Sequence, residues 1–184
     1  DGDTGNGNGD IGNDSEETGD NNGDAGNGGY IPPVQTPVEP GDAGSVKTEN
    51  DGSLSVKPDL NKDGQAVIGI TEEDINKAAE SAAINADGIK AITIKVEKVD
   101  GAKEYVQGIP VLALNDNSKG MRFIIETEFG TMEVPSNMLT AVEAEGSEAA
   151  YLSIRKADKN ELSEELKSRI GEKPVVELKL KLDD

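Results

Sequence analysis

Apolar side chains recur at every second position in several stretches of the later chain, which is the spacing of strands with one buried face. In SLSVKPDL, Leu54, Val56 and Leu60 fall on one side, and in QAVIGI it is Ala66, Ile68 and Ile70. KAITIKVEK alternates Ile92, Ile94 and Val96 with Thr93, Lys95 and Glu97. MRFIIETEF sets Met121, Phe123, Ile125 and Phe129 on one face, a short TMEV follows, and AAYLSIRK offers Ala150, Leu152 and Ile154. VVELKLKL ends the series: Val176, Leu178, Leu180 and Leu182 are expected on the core, and Glu177, Lys179 and Lys181 in water. One polar face per strand predicts mainly antiparallel sheets. The last alternation runs almost to Asp184, so a continuation is expected beyond it. Without that continuation the strand leaves an open sheet edge, guarded by its lysines.

A second period, of helical type, interrupts the strands. Thr71 is placed as an N-cap with Asp74 at the reciprocal position of a capping box, and Ile75, Ala79, Ala82 and Ala86 share a stripe that Gly88 would close. Leu162, Leu166 and Ile170 form another stripe, ended by Gly171 and Pro174. Shorter helical turns are expected at Val111–Leu114 and, after a Ser136 cap, at Asn137–Val142. The fold class that follows is α+β and β-rich: mainly antiparallel sheets with two to four short helices, in one module spanning 45–184.

Residues 1–44 have neither period. They open with DGDTGNGNGDIGNDSEETGDNNGDAGNGG, and IPPVQTPVEP follows at Ile31–Pro40. The literal pattern G-x-G-x-x-G occurs at Gly7, Gly9 and Gly12. A dinucleotide site needs a strand before it and a helix after it, and neither flank carries the apolar residues to make one. The echoes GDTGNG and GDAGNG lack the apolar positions that stack calcium-binding nonapeptides into a β-helix. Asn13-Asp14-Ser15 fits a glycosylation sequon, a frequent chance match. Gly maximises chain entropy, the carboxylates repel one another, and the prolines stiffen the end toward polyproline II. The reading is a disordered acidic linker, the start of a chain that looks excised from a larger protein.

Composition narrows the function. The net charge is −19 and the pI about 4.3, which disfavours nucleic acid and anionic membranes as partners. Cysteine, histidine and tryptophan are absent, so zinc-finger ligand sets, thiol nucleophiles, imidazole bases and disulfides are excluded. Aromatics make up 3%, too few for a stacking platform, and no apolar run reaches the roughly 18 residues of a membrane helix.

Two motifs carry chemistry on paper. DLNKDG matches the first half of an EF-hand loop and makes Asp59, Asn61 and Asp63 the calcium candidates. The twelfth position is Ile70, where a bidentate Glu is required, and the preferred reading is a turn at Asp63-Gly64. Ser153-Ile154-Arg155-Lys156 spells S-x-x-K, but on a strand Ser153 and Lys156 face opposite sides, and no S-D-N or K-T-G follows. Carboxylates are plentiful and read as a solvated face rather than a glycosidase pair. No catalytic residue, cofactor or metal is expected.

Stretches of this chain resemble a module of Gram-positive cell-surface proteins that often carry S-layer homology repeats. The pieces are T-E-x-G-T-x-x-V-P at Thr127–Pro135 and I-G-x-x-P-V-V-E-L at Ile170–Leu178, within a likeness running from Val46 to Asp184. The resemblance implies an exported, non-catalytic structural or spacer module of the cell wall or S-layer. Its partners would be neighbouring modules of a larger surface protein. The alternative is a module that binds a cell-wall glycan or a protein, marked by an exposed cleft holding Tyr105.

Overall fold

The computed structural model describes residues 44–86, 88–115, 120–140 and 146–183. The stretch read as a linker lies outside them, except for Gly44. The described chain opens with two hairpins, β1 (Ser45–Thr48) with β2 (Leu54–Lys57), and β3 (Asp59–Leu60) with β4 (Gln65–Gly69). Then come α1 (Glu72–Ser81), β5 (Lys90–Val96), β6 (Glu104–Pro110), α2 (Val111–Leu114), and the hairpin of β7 (Met121–Thr127) with β8 (Gly130–Pro135). The last part is β9 (Ala149–Lys156), one 3-10 turn at Lys159–Glu161, α3 (Glu164–Ile170) and β10 (Val176–Leu182).

The strands form two five-stranded sheets, β1-β2-β5-β7-β8 and β3-β4-β6-β9-β10. Each sheet sets one lone strand, β5 or β6, between two antiparallel pairs of strands consecutive in the chain, so the chain passes repeatedly from one sheet to the other. The fold is α+β and β-rich, as the periodicity predicts, but both sheets are mixed. The pairs β2–β5, β5–β7 and β4–β6 are parallel, and the other pairings are antiparallel. Parallel neighbours need a crossover, and here the crossover is the excursion to the opposite sheet: β6 lies between β5 and β7, and β5 between β4 and β6.

The inward faces of both sheets meet in one apolar core. Leu54, Val56, Ile92, Ile94, Phe123 and Ile125 come from the first sheet, and Ala66, Ile68, Tyr105, Ile109, Leu152 and Ile154 from the second. At the start of α1, Thr71 Oγ1 accepts the Asp74 N–H at 3.2 Å and Asp74 Oδ2 accepts the Thr71 N–H at 3.1 Å. The expected capping box is therefore formed. Ile75, Ala78 and Ala82 press on the core. Gly52 turns the β1–β2 hairpin at φ 77°, and a Cβ there would stand 2.4 Å from the backbone nitrogen of Ala82. Glycine is thus required where this turn meets the end of α1.

Several expectations are corrected. Ala86 lies past the end of α1 and is exposed, and Ala78 takes its place on the stripe. Leu60 does not share a face with Leu54 and Val56: Pro58 separates the two runs, and Leu60 sits exposed on β3 of the other sheet. Leu162, Leu166 and Ile170 do not reach the core, and α3 buries no residue. Ser136 does not cap a following helix. Its hydroxyl accepts the Met121 N–H at 3.3 Å, and Asn137–Thr140 is a hydrogen-bonded turn, with 141–142 outside the described residues. Strand β10 is the largest departure. Val176, Leu178 and Leu180 face the same side as Ile154 and Leu152 of β9, yet they stand exposed by 39%, 58% and 38%. The core ends under β9, and only Leu182 packs against it.

Candidate functional site

The outer face of the second sheet gathers the chain's most organised polar side chains. The strand registers align Gln65, Glu104, Arg155 and Glu177 in one row across β4, β6, β9 and β10. Gln65 Nε2 donates to Glu104 Oε2 at 2.8 Å. Arg155 Nε donates to Glu177 Oε2 at 2.6 Å, and Arg155 Nη2 reaches the same oxygen. Lys179 Nζ lies 3.1 Å from Glu177 Oε1. Partial burial opposes charge on Glu177, but the bonds from Arg155 and Lys179 outweigh it and hold the carboxyl below the ordinary value. In another row Tyr151 lies opposite Gly108, where a Cβ would be 3.2 Å from the ring, so the aromatic rests on bare backbone. Much of this face is paired within itself. Arg155 and Glu177 form a cross-strand ion pair, the sheet counterpart of a helical one, and Lys179 joins it from the same strand.

A second cluster closes one end of the sandwich. Tyr105 is completely buried, its ring edge-on to Phe129 with centroids 5.1 Å apart. Its hydroxyl accepts the Val99 N–H at 2.9 Å and donates to Glu128 Oε1 at 2.8 Å. Burial, with Glu128 adding to it, pushes the phenol pKa above its ordinary value against the Val99 bond. Lys156 Nζ sits 5.0 Å from the centre of the Phe129 ring, a cation–π contact. Tyr105 is therefore part of the packing rather than the wall of an open cleft.

The loop carrying the calcium candidates is the β3–β4 hairpin turn. Asn61 Oδ1 accepts the N–H groups of Asp63 and Gln65 at 3.0 and 2.9 Å, and Gly64 takes φ 81°. Asp59 Oδ2 accepts the Gly44 N–H at 2.9 Å. Asn61 thus ties up the loop backbone, as in an Asx-turn. Among the described residues no three side chains of metal-ligating type converge. Ser153 and Lys156 lie on opposite faces of β9, Ser153 outward and Lys156 beside Phe129. The S-x-x-K spelling therefore does not bring a hydroxyl to an amine.

No known family, curated protein or solved structure matches this chain.

One polar group escaped sequence reading. Gln107 is fully buried on β6, pointing inward between Tyr105 and Ile109, and among the described residues neither its amide nitrogen nor its oxygen has a partner. The alternation Tyr105, Gln107, Ile109 signals this placement. Gly108 and Pro110, on the other face of the same run, blur the strand pattern that would have shown it.

Proposed function

We propose that this chain is a non-catalytic structural or spacer module of an exported cell-surface protein. The reading rests on the resemblance at Thr127–Pro135 and Ile170–Leu178. One observation does most to support it. Polar and charged side chains on the second sheet's outer face bond to one another, as in the Gln65–Glu104 hydrogen bond and the Arg155–Glu177–Lys179 contacts, rather than being aimed at a shared point where a substrate could sit. Such pairs stiffen a sheet surface without presenting a reactive group. Among the described residues the buried side chains are mostly aliphatic, with Tyr105, Phe123, Met121, Met132, Gln107 and three serines (Ser53, Ser136, Ser153) as exceptions, which suits a body that separates neighbouring modules. On this reading the carboxylates give solubility and no acid–base catalysis.

The test is made on cells of the source. Antibody raised against the chain should label intact cells, and brief external protease treatment should remove the label. Purified wall polymer should not retain the isolated protein in a co-sedimentation assay. Recovery of the chain only from the cytosol would sink the surface assignment. Saturable binding to wall polymer, lost in Tyr151→Ala, would replace the spacer with a binding module.

A further inference from the structure

The four sheet edges are unequal. Strand β3 has two residues and β1 has four, and β8 begins at Gly130 and ends at Pro135. Strand β10 is seven residues long, carries no proline or glycine, and among the described residues pairs only with β9. It therefore lacks most of the devices that blunt an edge.

The orientation of its free backbone follows from the ladder. Val175 O accepts the Ala157 N–H at 2.9 Å, and the Asp183 N–H donates to Ala149 O at 3.1 Å. With the register Val176↔Lys156 through Leu182↔Ala150, the odd-numbered residues bond to β9. Val176, Leu178 and Leu180 then direct their N–H and C=O groups away from the sheet, toward solvent. Their side chains form the exposed apolar face, while Glu177, Lys179 and Lys181 line the other.

We propose that β10 is a homotypic interface, at which a second copy of this chain adds antiparallel to β10 about a two-fold axis through Leu178. Charge selects this register. With Leu178 opposite its own counterpart, Val176 meets the second copy's Leu180, and Glu177 meets its Lys179 on both sides of the axis. Lys181 falls opposite Val175. Centring on Lys179 sets two lysines face to face, on Glu177 two glutamates, and on Leu180 brings Lys179 against Lys181. A parallel in-register pair would stack every like charge. The chosen register alone of these avoids like-charge neighbours, which destabilise a strand pair when directly opposite. It joins the two second sheets into one continuous sheet and sets exposed leucines beside leucines. The inference stands apart from the assignment to the cell surface.

Sedimentation velocity on the whole chain over a concentration series tests it. A concentration-dependent dimer is expected. Lys179→Glu places two carboxylates opposite each other on each side of the axis and should weaken association by about tenfold or more. Lys181→Glu faces Val175 and should change it by less than about twofold. Leu178→Lys, which sets two cations on the axis, should abolish it. All three positions are exposed, so the fold should tolerate the changes. A chain that stays monomeric up to about 1 mM, where even weak encounters register, overturns the proposal. So does a dimer indifferent to Leu178→Lys, or one that loses affinity with Lys181→Glu but not with Lys179→Glu.

Discussion

Replacing Gln107 by Met should stabilise the protein. The side chain is wholly buried on the central strand of its sheet, flanked in register by Ile68 and Leu152, and both polar atoms of its amide lack a partner among the described residues. A buried polar group without hydrogen bonds costs about 1–3 kcal/mol relative to one left in water. Methionine has nearly the same length and flexibility, fills the same space and needs no partner. The expected gain is therefore about 1–3 kcal/mol, less any small packing mismatch. In urea titration, with an m-value of roughly 2 kcal/mol/M, the midpoint should rise by about 0.5–1.5 M at unchanged m. Gln107→Glu should act in the opposite sense. It places an unpaired carboxylate among aliphatic side chains, so it should destabilise at pH 7 and recover as the pH falls and the carboxylate takes a proton. A lower midpoint for Gln107→Met would refute the reasoning, because it would mean that the amide is bonded in solution.

Three further outcomes follow from other contacts. Thr71→Ala removes the hydroxyl that accepts the Asp74 N–H and should cost about 1 kcal/mol, read from the shift in denaturation midpoint. The Tyr105 phenol is held above its ordinary pKa of 10.0, so its contribution to stability is complete below that value and is lost as the pH climbs through the raised one; ultraviolet titration should show a late-titrating component that disappears in Tyr105→Phe. Calorimetry with calcium should find no stoichiometric site of micromolar or tighter affinity at Asp59–Gly64, whereas Asn61→Ala, which frees the Asp63 and Gln65 N–H groups, should lower stability by about 1 kcal/mol with or without the ion.

Much of the fold was legible because alternation reports burial directly. Ile92, Ile94 and Val96 on β5, Met121, Phe123 and Ile125 on β7, and Ala150, Leu152 and Ile154 on β9 all lie where period two sets them. The Thr71–Asp74 box was legible because it is local. The same logic failed at β10. Val176, Leu178 and Leu180 show that the strand has an apolar side, but not whether the opposing sheet extends far enough to cover it. Pairing direction was hidden for a related reason: whether β5 lies parallel to β7 depends on the path through β6, which no stretch of either strand encodes. Strands β1 and β6 were missed outright. On β6, one face carries Gly108 and Pro110 and the other carries Gln107, so neither reads as a clean apolar row. That strand is also where the unpaired amide lies, and its absence from the sequence reading concealed both.

The repeated passage of the chain between sheets bears on how the molecule is made. Strand β6 gains its second neighbour only when β9 arrives, some forty residues later in the chain, and β5 waits in the same way for β7. Contacts of such long sequence separation slow folding, since the loop must close before the pairing repays it. During synthesis the growing chain therefore carries one edge of β6 unpaired until β9 has emerged. Neither sheet can form as an independent half. Folding should be slow and concerted, and a nascent chain stopped before β9 should be a target for chaperones or for association with its own kind.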